Sequence, residues 1–136
     1  MILPLEYQTN DPRSGRSVSV PFGPYRHFGT LFVIDGELLV FANSDAVGQA
    51  RLETWDEFAD GKQARFEPGY ESTLDWREKY RRACSVAHNP YDVASWNCEH
   101  FVNYLQGLPA ISRQARATVA LVFVGVVAAL ALSKAA

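Results

Sequence analysis

Two cysteines and three histidines hold most of the nucleophilic and metal-binding capacity of this 136-residue chain: Cys84, Cys98, His27, His88 and His100. A thiol becomes a nucleophile when its thiolate is stabilised, and a helix N-terminus or a nearby imidazole can do so. Cys98 lies in "WNCEHFVNYL", directly after Asn97, a good N-cap residue at the head of an amphipathic run. The unpaired N–H groups of that first turn are expected to lower its pKa. Cys84 falls in the middle of a helical pattern, on its apolar stripe, and reads as a small core residue.

The histidines divide in the same way. His100 is two residues beyond Cys98, and side chains at i and i+2 on a helix point apart, so it is expected to pack or hydrogen-bond on the other flank. His88 ends a helical pattern beside Asn89–Pro90, where it suits the negative end of the helix dipole. His27 opens the apolar run "HFGTLFVI", a polar ring with no evident packing reason. A sheet can present it to the helix that bears Cys98. Zinc is the competing use for these groups, since Cys84 and His88 are an i,i+4 pair and Cys98 with His100 can supply two more ligands. The spacings match no common finger or ribbon, so neither a metal nor a cofactor is expected.

The elements that must position these residues can be read from pattern. "RSVSV" (16–20) alternates as a half-buried strand does. "HFGTLFVI" and "ELLVFANS" flank Asp35–Gly36, a strong hairpin signal. "SDAVGQARLE" passes from loop into a short strand, and Thr54 followed by Glu57 has the spacing of a capping box at a helix start. "DGKQARFEPGY" returns through a turn, with room for another strand. A helix is expected over 72–88, with Trp76, Tyr80, Ala83, Cys84 and Ala87 on one stripe. A second is expected over 98–106, stopped by Gly107 and Pro109. Strands first and helices later imply an α+β domain with a small antiparallel sheet.

Composition sets the bounds. A chain this long forms one modest domain, burying roughly two thirds of its unfolded surface without staples. Hydrophobic residues make up 48% and the net charge is -2, so no basic field points to nucleic acid. "MILPLEYQTN" carries no charged start and no apolar run, so a cleavable signal is not expected. A reducing compartment follows, with free thiols preferred over a Cys84–Cys98 disulfide.

The tail departs from the rest. From Ala117 to Leu132 only Thr118 is neither apolar nor glycine, and no charge occurs. Apolar character all round the wheel leaves such a helix no solvent face, and a small domain has no room to enclose it. A membrane anchor over 117–133 is expected, after a basic linker at 111–116 and a domain over 1–110. Arg113 and Arg116 precede the segment and Lys134 follows, a bias that favours a cytoplasmic domain.

"NCEHFVNYL" resembles the signature of the lecithin retinol acyltransferase-like family, within the NlpC-type papain-like thiol superfamily. "HFGTLFVIDG", "VFANSDAVGQARLETWDEFADG" and "NPYDVASWNCEHFV" are similar to further stretches of that family, so the likeness runs from about Tyr25 to Gly107. The resemblance implies a permuted papain-like fold with histidine on an early strand and cysteine at a later helix start. Cys98 then matches the nucleophile and His27 the base. It also implies a phospholipid as acyl donor, a thioester on the cysteine, and an amine, an alcohol or water as acceptor. The family's second histidine, just before the Asn-Ser pair, is Ala42 here, and Val33–Ile34 replace the glycines usual before Asp35. Asn43 is the nearest polar substitute to orient His27, although reaching it from a regular strand needs a bulge or register shift. A membrane-anchored thiol acyltransferase or phospholipase is the leading expectation. A cysteine peptidase or amidase of the same superfamily and a non-catalytic membrane adaptor are the alternatives.

Overall fold

A computed structural model describes residues 10–135; the signal-sequence reading of the first nine residues lies outside them. Five strands form one antiparallel sheet in the order β4-β3-β2-β1-β5. They are β1 (Arg16–Phe22), β2 (Tyr25–Ile34), β3 (Glu37–Ser44), β4 (Gln49–Thr54) and β5 (Arg65–Phe66). The helices are α1 (Trp55–Ala59), α2 (Trp76–Val86), α3 (Cys98–Leu105) and α4 (Arg113–Ala135). The chain is thus α+β with a small antiparallel sheet, as the order of patterns implied.

Local chemistry explains the joints. The β2–β3 hairpin turns at Asp35 and Gly36 with φ of 50° and 76°, the left-handed pair that a two-residue primed turn requires. Thr54 accepts from the Glu57 N–H while Glu57 reaches back to the Thr54 N–H, so the capping box forms and α1 starts there. The helix expected from 72 begins instead at Trp76. Asp75 caps it by accepting from the Arg77 N–H, and Ser72 is held outside by Gln106 Oε1.

Both faces of the sheet are covered. On one, Val18, Val20, Leu31, Val40 and Ala42 pack under Phe58 of α1. On the other, Phe32, Ile34, Phe41 and Ala50 meet Trp76, Tyr80 and Ala83 of α2 and Phe101 and Leu105 of α3. The expected apolar stripe of α2 is therefore real, with Cys84 half-buried at its margin.

One feature of the sheet matters for the site. The β2–β3 ladder runs from Ile34↔Glu37 to Thr30↔Phe41 and stops there, although both strands continue. The lower part of β2 pairs with β1 alone and the end of β3 with β4 alone. The first turn of α3 enters the resulting split. Asn43 on β3 donates to the carbonyls of Trp96 (2.8 Å) and Asn97 (3.3 Å), and Cys98 meets the backbone of β2.

Arg113–Lys134 of α4 is long and apolar enough to cross a membrane, and none of its apolar window is buried against the domain. The helix starts inside the stretch read as a linker, so residues 113–116 extend it.

Gly29 has no room for a side chain: a Cβ there would lie 2.4 Å from Val40 Cγ1 and 3.1 Å from Phe58. Gly29→Ala should therefore destabilise the domain by ~1–3 kcal/mol, through forced repacking rather than lost burial. Chemical denaturation of the detergent-solubilised protein measures this, and an unchanged midpoint would contradict the packing described.

Candidate functional site around Cys98

Cys98 is the first residue of α3, as its sequence context implied. Asn97 caps the helix, its Oδ1 accepting from the N–H groups of Glu99 (2.9 Å) and His100 (3.2 Å), and its own N–H donates to His100 Nδ1 (3.1 Å). His100 is thereby spent on the cap, on the other flank from Cys98. His88 is exposed beyond the end of α2. Both thiols are free.

The thiol does not have the lowered pKa that a helix start suggested. Only 8% of Cys98 is exposed, among Phe28, Tyr70 and Val102, and burial pushes its pKa up to about 11. The Phe28 N–H and the helix's own first N–H groups oppose that shift without overcoming it. The physical reason is twofold. Removing a thiolate from water costs more than a helix terminus returns, and the Asn97 side chain has already taken two of the free N–H groups.

His27 is on β2 opposite Val20 of β1, and alternation puts it on the face of Gly29 and Leu31. Its ring centroid is 5.3 Å from Phe58 and 6.4 Å from Phe22, and no hydrogen bond to the ring forms among the described residues. Burial, with the charge of Lys62 in addition, lowers its pKa to about 4, so the ring is neutral near pH 7 and a weak base where it rests. Cys98 packs on the opposite face with Phe28, yet its Sγ lies at the unpaired edge of β2. There it is 3.9 Å from the Arg26 carbonyl oxygen and close to the Phe28 N–H. Those two groups flank residue 27 in the chain. The structure thus brings Cys98 to the backbone around His27 but leaves the His27 ring turned toward α1.

The role expected of Asn43 is corrected. β3 pairs with β4 without a bulge from Leu39↔Thr54 to Ser44↔Gln49, so Asn43 faces α3 while Ala42 shares the face of His27. The amide of Asn43 is fully buried and donates to the Trp96 and Asn97 carbonyls, which positions the turn before Cys98. Its Oδ1 has no hydrogen-bond partner among the described residues. Asn43 holds the helix start rather than orienting the imidazole.

Two residues that sequence reasoning passed over complete the site. Glu99 is fully buried, and its carboxylate accepts from Tyr70 Oη (2.9 Å), Ser112 Oγ (3.2 Å) and the N–H groups of Arg113 (2.9 Å) and Gln114 (3.0 Å). It therefore occupies the N-terminus of α4, where a negative charge is favoured. Gln114 grips the same backbone that the thiol touches. Its Oε1 accepts from the Arg26 N–H (2.7 Å) and its Nε2 donates to the Arg26 carbonyl (3.0 Å). The available signal was a glutamate on the buried stripe of α3, in register with Val102, Asn103 and Gln106, and an isolated glutamine in the first turn of an apolar helix.

No family model matches the chain, and no curated protein matches it either.

A thiol held near 11 has ~100-fold less thiolate than an unperturbed one at neutral pH. Alkylation of Cys98 should accordingly be slow near pH 7.5 and rise about tenfold per pH unit through pH 10 without levelling. Mass-resolved labelling across that range is the check. A plateau below pH 9 would show that the resting thiol is not held as described.

Proposed function

We propose that the protein is a membrane-anchored thiol acyltransferase or phospholipase, related to the lecithin retinol acyltransferase-like family and built on a permuted papain-like fold. The carrying observation is the Arg26 carbonyl, which is contacted at once by Cys98 Sγ and by the root of the apolar helix α4. A nucleophile at that place works at the level where a bilayer presents its ester groups.

In this reading His27 swings from Phe58 to the unpaired edge of β2 and takes the Cys98 proton. The sulfur forms a bond to the carbonyl carbon of a glycerophospholipid ester. The imidazolium then returns the proton to the departing lyso-lipid oxygen as the C–O bond breaks, leaving a thioester. An amine, an alcohol or water next attacks the thioester carbon, passing a proton to His27, and the thiol leaves. Splitting the transfer in this way replaces one difficult step with two easier ones. The acidic chain and the greasy helix suit lipid better than cell-wall peptide as substrate. Arg113 and Arg116 favour a domain on the cytoplasmic side.

A second reading is favoured by one observation: the His27 ring packs against Phe58, and Ala42 supplies nothing to orient it. In that case the chain is a non-catalytic membrane adaptor. Brief exposure of the protein to mixed phospholipid vesicles, followed by mass spectrometry, separates the two. The enzyme reading expects one fatty acyl increment on Cys98, removed by hydroxylamine. Cys98→Ser should abolish turnover by about three orders of magnitude, whereas Cys84→Ser should mainly affect stability. His27→Gln should cost ~100-fold or more. An unacylated Cys98 with every lipid class would leave the adaptor reading in possession.

The membrane half has its own test. Burying some fifteen apolar side chains in lipid holds a protein essentially irreversibly. Full-length protein should pellet with membranes and resist carbonate washing. Recovery in the wash would assign α4 to an oligomer instead.

A further inference from the structure

The unpaired edge of β2 beside the thiol is already occupied. Arg26 presents its N–H and its carbonyl oxygen toward the split between β2 and β3, where no strand pairs with them. The Gln114 carboxamide takes both, accepting from the N–H at 2.7 Å and donating to the oxygen at 3.0 Å, as a neighbouring strand would. Cys98 Sγ shares that same oxygen. A second contact from α4 reinforces the seat, Thr118 Oγ1 with Tyr25 Oη at 3.1 Å. Glu99, adjacent to Cys98 in the chain, fixes the first turn of α4 through Ser112, Arg113 and Gln114.

We propose that the first turn of α4 is a built-in plug, in which Gln114 covers the β2 edge at Cys98 and must withdraw before an acyl group reaches the sulfur. The carboxamide is a planar carbonyl group seated on the backbone N–H of Arg26, the residue whose carbonyl oxygen the thiol contacts, so it stands in for the carbonyl of the incoming ester. When Gln114 leaves, the Arg26 N–H becomes the donor to that ester oxygen, and to the oxyanion that forms as sulfur attacks. The naming of an ester as the displacing group rests on the acyl-transfer reading; the plug itself does not. The arrangement gives the membrane helix a direct purchase on the thiol, since any tilt of α4 that pulls Gln114 from Arg26 opens the edge.

The test uses the full chain in nanodiscs and reads the iodoacetamide labelling rate of Cys98 relative to Cys84, which reports general loosening. Gln114→Ala should raise that ratio by at least about tenfold, because only the thiol beneath the plug is uncovered. Gln114→Asn, one methylene shorter, keeps the amide but cannot span both Arg26 atoms and should raise it too. An unchanged ratio in both variants overturns the plug, including the case where the two thiols accelerate in step. If the ratio rises while phospholipid vesicles leave no acyl adduct on Cys98 in either variant, the plug stands and the acyl-transfer reading falls.

Discussion

The buried carboxylate of Glu99 is the interaction on which the arrangement depends. It takes one hydrogen bond from Tyr70, which ends a short 3-10 turn at Pro68–Tyr70, and three from the start of α4, while its own backbone forms the first turn of α3. A buried carboxylate is costly unless its oxygens are filled, and here four donors fill them. Burial and this carboxylate together push the Tyr70 hydroxyl up to about 12, and Arg113 lies over the Tyr70 ring at 4.4 Å. Removing any one partner would leave buried polar groups without the others. The root of the apolar helix is thereby made part of the domain rather than an appendage to it.

The second constraint is the split sheet. Had β2 and β3 stayed paired to the end of β3, the β2 edge at Phe28 would be closed and the first turn of α3 would have nowhere to enter. The split leaves backbone groups that must be satisfied, and side chains do it: Gln114 for Arg26, and Asn43 for the Trp96 and Asn97 carbonyls. The same opening admits Cys98 to the strand that carries His27. It also buries the thiol, which explains why a cysteine at a helix start has a raised pKa. Position at a dipole and removal from water act in opposite senses, and here the second is larger.

Within the proposed function this resting geometry pairs a neutral thiol with a neutral imidazole. The two shifts, one up to about 11 and the other down to about 4, make charge separation between them unfavourable until water or substrate changes their surroundings.

By itself the sequence determined the class, the hairpin, the capping box at Thr54, the start of α3 at Cys98 and the apolar span, because each is written in residues close together in the chain. Period-2 alternation, Asp35–Gly36, Asn97 before Cys98 and an uncharged run are local signals with local consequences. It also showed that Ala42 departs from the pattern of the resemblance. Tertiary structure alone decided which face each site residue occupies and what it touches. The bulge-free pairing of β3 with β4 sent Asn43 to the α3 side, and regular alternation sent His27 to the α1 side, since a residue's face follows from register over a whole ladder. The contacts of Glu99 and Gln114 span 13 to 29 and 88 residues respectively, and no local period marks them. Burial of Cys98, which sets its acidity, is likewise a sum over Phe28, Tyr70 and Val102 that exists only once the chain has folded.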